Sequence, residues 1–194
     1  MQQQDEPGLQ TRMTPIPDLG ENSYRGNGHL ARRKALITGA DSGIGAAVAI
    51  AFAREGADIT ISMFWIIKAA LPHLGPGSRI INTASLEAYV PAPDRLDYAS
   101  TKGAIINFSK GLAQQLVSQG IRVNVVAPGP TWTVPQVTGG VDPETLPEFG
   151  SSESPMGRAA QPAEIAPAYV FLASAESSFV VGETLNVNGG MVTP

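Results

Sequence analysis

The chain of 194 residues contains no cysteine. That excludes a disulfide framework, a thiolate nucleophile and thiolate metal ligands. Histidine is almost as scarce, with only two, His29 and His73. Neither has a second ligand at metal-binding spacing, so no metal centre is expected. Charged residues make up only 15% of the chain and the formal net charge is −4. This balance gives no electrostatic reason to expect nucleic acid or an anionic membrane as a partner. No apolar run approaches the ~20 residues needed to span a bilayer. The stretch from Met1 to Glu6 lacks the basic and apolar zones of a signal peptide, so a cytoplasmic protein is expected.

The remaining composition is that of a globular α/β chain, 43% hydrophobic and long enough for one domain with one sizeable core. Residues 1–30 are rich in Gln, Pro and Gly with little periodicity, and read as an extended N-terminal arm. Residues 31–194 form the main domain. Within it, residues 128–161 are rich in Pro, Gly, Ser and Thr, the composition of a long irregular substrate-covering loop. Trp132, Phe149 and Met156 there either face substrate or pin the loop down. Pro162 opens a helix that reaches Ala173, with Pro167 expected to disturb it.

Three polar residues carry the chemistry. Tyr98 and Lys102 lie at the start of an apolar-periodic segment (Ile105, Phe108, Leu112, Leu116) that predicts a helix. Residues four apart share a helix face, which sets the Lys102 ammonium beside the Tyr98 phenol. Ser85 follows Arg79 to Ala84, a β-rich run that predicts a buried strand. In open α/β sheets ligands bind beyond the carboxyl ends of strands, and Ser85 sits at such an end. A phenol beside a cation and a hydroxyl is a proton-transfer device for an alcohol or carbonyl oxygen. Glu87 and Asp97, close to Ser85 and Tyr98, read as solvated or capping groups.

A second pattern lies upstream. Lys34 to Thr38 reads as a short strand, followed by Gly39-Ala40-Asp41-Ser42-Gly43-Ile44-Gly45 and then a helical pattern through Ala47, Val48, Ala51, Phe52 and Glu55, stopped by Gly56. Strand, glycine turn and helix form the context of dinucleotide binding, where free N–H groups and the positive dipole end meet a pyrophosphate. The turn does not close on Gly-Lys-Ser/Thr, which excludes a P-loop.

Together, Thr38-Gly39-x-x-x-Gly43-Ile44-Gly45, Ser85 and Tyr98-x-x-x-Lys102 resemble the short-chain dehydrogenase/reductase family. The run Arg122 to Gly129 is similar to the family's strand after the catalytic helix, with its Pro-Gly turn. Gly182 to Gly190 is similar to its last strand, and Pro17 to Gly26 to the arm of a bacterial glucose-dehydrogenase-like subgroup. The resemblance implies a doubly wound Rossmann-type parallel sheet. It implies hydride transfer between NAD or NADP and a small-molecule alcohol or carbonyl substrate. Tyr98 would be the general acid/base, Lys102 would support it and hold the nicotinamide ribose, and Ser85 would bind the substrate oxygen. Gly39, Asp41, Ser42, Gly43 and Ile44 or Gly45 would line the pyrophosphate. Pro128, Gly129, Thr131 and Thr133 would lie along the cofactor, with Thr133 near the carboxamide. Family assembly through the helices flanking the site further implies a homo-oligomer.

The chain departs from the family pattern in one place. Only 16 residues separate the predicted second strand, Asp58 to Ser62, from the strand that begins at Arg79. That suffices for one crossover, through a helix from Met63 to Leu71, where the family has two further βα units. The Asn-Asn-Ala-Gly turn, the catalytic Asn and the residue that selects NAD or NADP are all missing, and the join falls near residues 62–63. The first strand must then pair directly with the Ser85 strand or leave an edge. A second reading follows from this gap: a catalytically impaired relative that binds weakly or only associates with other chains.

Overall fold

The computed structural model describes residues 4, 9–31, 34–36, 43–55, 58–60, 64–142 and 144–193. Its strands are β1 (Lys34–Leu36), β2 (Asp58–Thr60), β3 (Arg79–Thr83), β4 (Arg122–Pro128) and β5 (Thr184–Val187). Helices α1 (Gly43–Arg54), α2 (Phe64–Ala70), α3 (Leu96–Leu116) and α4 (Pro162–Ala173) lie between them in sequence, and every ladder is parallel. This is the α/β alternation that the sequence predicts. Among the described residues β1 pairs only with β2, and β3, β4 and β5 form a separate three-stranded sheet in that order. Among the described residues, then, no ladder joins the first strand to the Ser85 strand.

The chain divides into two compact units. One holds residues 1–62 and 130–170, the other residues 63–129 and 171–194.

In the second unit β4 is buried along its whole length and carries β3 on one side and β5 on the other. Leu112, Ala113 and Leu116 of α3 pack with Ile121 and Val123, and Ile67, Leu71 and Leu74 close the same cluster. The predicted seam of α3 is corrected at one position. Phe108 is 41% exposed and Ser109 is wholly buried in its stead. Its hydroxyl accepts a hydrogen bond from Asn82 Nδ2 of β3 at 2.7 Å and donates to the Ile105 carbonyl at 2.7 Å. Two positions one residue apart both fit the helical period, and the buried Asn82 amide needs the hydroxyl, not the ring.

In the first unit the N-terminal arm is fastened to the end of α1. Glu55, 1% exposed, accepts from the Tyr24 hydroxyl at 2.7 Å and from the backbone N–H groups of His29 at 2.8 Å and Asn27 at 3.1 Å. Arg54 donates to the carbonyls of Gly20, Glu21 and Tyr24. Met13 and Leu30 of the arm are buried, each 1% exposed. Trp132 packs with Met13, Val137 and Leu146, its indole N–H donates to the Pro15 carbonyl at 2.8 Å, and Phe149 stands beside it at 6.3 Å. Trp132 and Phe149 thus pin the irregular segment, while Met156 is 64% exposed. The α4 helix continues through Pro167 without a break.

Burial pushes the Glu55 carboxyl up, but the three hydrogen bonds outweigh it and hold it below its ordinary 4.5. Burial, the bond to Glu55 and the charge of that partner all push the Tyr24 phenol up. A depressed carboxyl stabilises the fold above its unfolded value and loses that contribution as pH falls through its folded value. Glu55→Gln turns an NH2 group toward N–H donors and is expected to cost about 1–3 kcal/mol near pH 7. Urea unfolding of both proteins from pH 7 to 3 should show the difference shrinking below pH 4.5, as Glu55 of the native protein protonates.

Candidate active site

The chemistry-bearing residues of the second unit are assembled around the end of β3. The β3–β4 register ends at Thr83 opposite Val126, and the Ala84 N–H still donates to the Val126 carbonyl at 2.8 Å. Ser85 is the first residue beyond this ladder. It is extended and caps a 3-10 turn, Leu86–Ala88, with its Oγ accepting the Glu87 N–H at 3.2 Å. Ala84, Ile106, Val125 and Ala127 bury the junction, with Ala88, Tyr89 and Ile105 against them.

α3 begins at Leu96, two residues before Tyr98, and Asp97 Oδ1 accepts the Tyr98 N–H at 2.8 Å in its first turn. One turn on, the Lys102 ammonium lies 5.3 Å from the Tyr98 ring centroid. The same ammonium donates to the Thr83 carbonyl at 3.3 Å, two residues before Ser85. Burial pushes the Lys102 ammonium below its ordinary 10.5. Tyr98 is 42% exposed. The fold therefore sets Lys102 beside Tyr98 and beside the end of β3 that leads into Ser85. Glu87 is different from its expectation as a solvated group. Its side chain is only 17% exposed and pairs with Arg95 at 3.1 Å.

Pro128 ends β4, and the Gly129 N–H donates to the Val187 carbonyl at 2.9 Å. A Cβ at Gly129 would stand 2.7 Å from Asn188 Cα, so only glycine fits this crossing.

In the first unit Gly39, Asp41 and Ser42 lie outside the described residues. Gly43 starts α1 with φ +54°, a conformation that favours glycine, and a Cβ there would meet the Thr133 methyl at 3.0 Å. Its N–H donates to Gln10 Oε1 at 2.8 Å. Ile44 and Gly45 are half-buried in the first turn. Thr131 is 5% exposed and bridges to Ala160. The Thr133 N–H and hydroxyl both donate to Gln136 Oε1, at 3.0 and 2.5 Å. Gln10, Gln136 and the Asn82–Ser109 pair are contacts that sequence spacing does not single out. Only Asn82, an amide inside an apolar strand run, carries a signal of its own. Among the described residues no cluster of acidic, His or Cys side chains could hold a metal, and no helix is long and apolar enough to cross a membrane.

Comparison with known proteins accords with this arrangement. Residues 60–192 match the family profile described as enoyl-(acyl carrier protein) reductase. The uncharacterized oxidoreductase YghA of Escherichia coli K12 is 40% identical, covering 97% of this chain and 92% of the relative. Glucose and ribitol dehydrogenase homolog 2 of Arabidopsis thaliana is 33% identical, covering 98% of this chain and 96% of the relative. A short-chain dehydrogenase from Burkholderia cenocepacia, solved in complex with NADP, shares the fold with a TM-score of 0.72 at 22% identity, covering 84% of this chain and 98% of that one. The chain belongs to the short-chain dehydrogenase/reductase family of oxidoreductases, and its fold is a shortened form of the family's Rossmann-type domain. The alignment with YghA spans 273 positions against the 194 residues present, so at least 79 positions (273 less 194) stand against a gap. That matches the loss of about two βα units.

Removing one partner of a buried hydrogen bond leaves the other unsatisfied. Ser109→Ala strands the Asn82 amide and is expected to lower stability by about 1–3 kcal/mol. The shift of the urea midpoint measures it.

Proposed function

We propose that the chain is an NAD(P)-dependent oxidoreductase that moves hydride between the nicotinamide and a small alcohol or carbonyl compound. The observation that carries this reading is the Lys102 ammonium, held by the Thr83 carbonyl and 5.3 Å from the Tyr98 ring. The residues present fit the cofactor in part. An ammonium has three N–H donors, and Lys102 uses one on Thr83, which leaves donors for the ribose hydroxyls. The Gly43 N–H at the start of α1 suits a pyrophosphate oxygen, which would take the place of Gln10 Oε1.

The nicotinamide, when bound, supplies or accepts the hydride. In reduction the Tyr98 phenol gives its proton to the carbonyl oxygen, and in oxidation it takes the alcohol proton back. Ser85, whose oxygen already accepts the Glu87 N–H, donates its own proton to that same substrate oxygen. Lys102 sets a positive charge beside the phenol as negative charge develops there. Names of relatives such as glucose and ribitol dehydrogenase homolog 2 favour a polyhydroxy substrate within the class.

Two observations favour the second reading, an impaired relative. They are the gap of at least 79 positions against YghA and the occupation of the Gly43 N–H by Gln10. The test compares this chain with a version in which the missing segment is restored from a relative. Both are titrated with NADH and NADPH by fluorescence and assayed on polyols, sugars, alcohols and ketones. The restored chain is expected to bind and turn over, and the short chain to do both more weakly. In the active protein Tyr98→Phe should lower turnover by about 10²–10⁴-fold without loss of fold. Absence of binding and turnover in both chains would leave only the second reading.

Lys102 gives a prediction with a sign. Its ammonium is depressed by burial, so its folded protein binds fewer protons than the unfolded one just below pH 10.5, and stability rises with pH there. Lys102→Met removes that dependence. The variant's stability relative to the native protein should be highest near pH 7 and decline as pH approaches 10.5, while turnover drops at least about tenfold. Denaturation and activity measured side by side over pH 7–10 check both.

A further inference from the structure

We infer that Glu87 and Arg95 form a strut that positions Ser85 relative to Tyr98, which makes Glu87 a positioning residue for proton transfer. The inference rests on the roles proposed above for those two residues.

Glu87 reaches both sides of the site. Its backbone N–H donates to Ser85 Oγ at 3.2 Å, and its carboxylate Oε1 pairs with Arg95 NH1 at 3.1 Å. Arg95 is the N-cap of α3, immediately before Leu96. Its carbonyl accepts the Ala99 N–H at 2.9 Å, and Tyr98 lies within that same first turn. One residue thus links the hydroxyl of Ser85, through its backbone N–H, to the end of the helix that carries the phenol, through its side chain. Between them the chain passes through Pro91 and Pro93, which cannot donate backbone hydrogen bonds of their own.

Two features separate this pair from an ordinary surface ion pair. Its acidic end is mostly enclosed, at 17% exposure, while the Arg95 side chain is 46% exposed. The second oxygen, Glu87 Oε2, is buried without a hydrogen-bond partner. A buried acceptor left unpaired is costly. Asp94 approaches Arg95 Nε at 3.8 Å and is itself 77% exposed, so it supplies no comparable anchor.

The test uses Glu87→Gln, Glu87→Ala, Arg95→Ala and the exchanged pair Glu87→Arg with Arg95→Glu, all in the full chain and in the segment-restored chain. Two readouts are taken. The first is kcat against KM for cofactor and substrate. The strut predicts at least a tenfold fall in kcat with little change in cofactor KM for each single variant, and partial recovery in the exchanged pair. The second is amide exchange at Glu87 and Ala99. It should quicken at least tenfold in every single variant while the urea midpoint stays near that of the native chain. If Glu87→Ala fails to fold, Glu87→Gln carries both readouts. Unchanged exchange at both amides overturns the strut. So does quickened exchange with kcat intact, because the link would then exist without positioning the reacting groups. If neither chain turns over any substrate, the proposed function fails, and amide exchange alone still decides whether the strut holds.

Discussion

A strand buried on both faces must settle every polar group it carries, and β4 is such a strand. All seven of its residues are buried, yet it contains Arg122 and Asn124. The Arg122 guanidinium donates to the carbonyls of Leu172, Ser174 and Val180. Asn124 donates to the Val180 carbonyl and accepts from the Glu183 N–H. These bonds hold the segment that leads into β5, and they fix β4 in register between its neighbours. The register then determines where β3 stops, and Ser85 emerges one residue past its last ladder bond. α3 is laid against the same sheet by Ile106, Leu112 and Leu116 and by the Ser109–Asn82 bond. The approach of Lys102, with Tyr98 beside it, to the end of β3 thus depends on how β4 is satisfied.

The parts of the fold legible in the sequence are those with a strong local cause. The Tyr98 to Lys102 spacing, the α3 period, the α4 start at Pro162 and the buried β4 run each follow from side-chain pattern within a few residues. Contacts that need distant partners are not legible. Gln10 and Gly43 are 33 positions apart, and nothing near either marks the pairing. Glu55 reads as the polar last residue of an amphipathic helix, yet it is buried, because the arm brings three donors to it. Phe108 and Ser109 differ by one residue in a period of 3.6, so the choice between them belongs to Asn82 on another element.

The gap acts on the two halves of the chemistry unequally. The proton-transfer residues all lie beyond it in sequence, and each is held by contacts within residues 63–129. Lys102 needs only Thr83 and Tyr98, and Ser85 only Glu87. The cofactor side depends on elements that precede the gap, β1 and α1, and on a segment of the family domain that this chain lacks. Under the proposed function, loss of two βα units leaves the candidate acid/base residues in place while it removes the family's adenine-side elements and its catalytic Asn. An enzyme shortened in this way loses placement of the dinucleotide before it loses the capacity to move a proton. Hydride transfer is sensitive to placement on a scale of ~1 Å, so under the proposed function it is placement of the dinucleotide that the gap would limit.

Stability and function pull apart in the way burial is distributed. Glu55 is enclosed with three donors, and its carboxylate is favoured by the fold. Lys102 is partly enclosed with one acceptor, and its ammonium is disfavoured. Glu87 is enclosed with one oxygen paired and one left over. A buried unpaired group and a desolvated cation both cost free energy. Both lie within a few residues of Ser85 or Tyr98, and neither type of deficit attends Glu55 in the arm clasp. Buried polar atoms without a hydrogen-bond partner also occur away from these residues, at Thr184 and Asn186, so such a deficit does not by itself mark the chemistry.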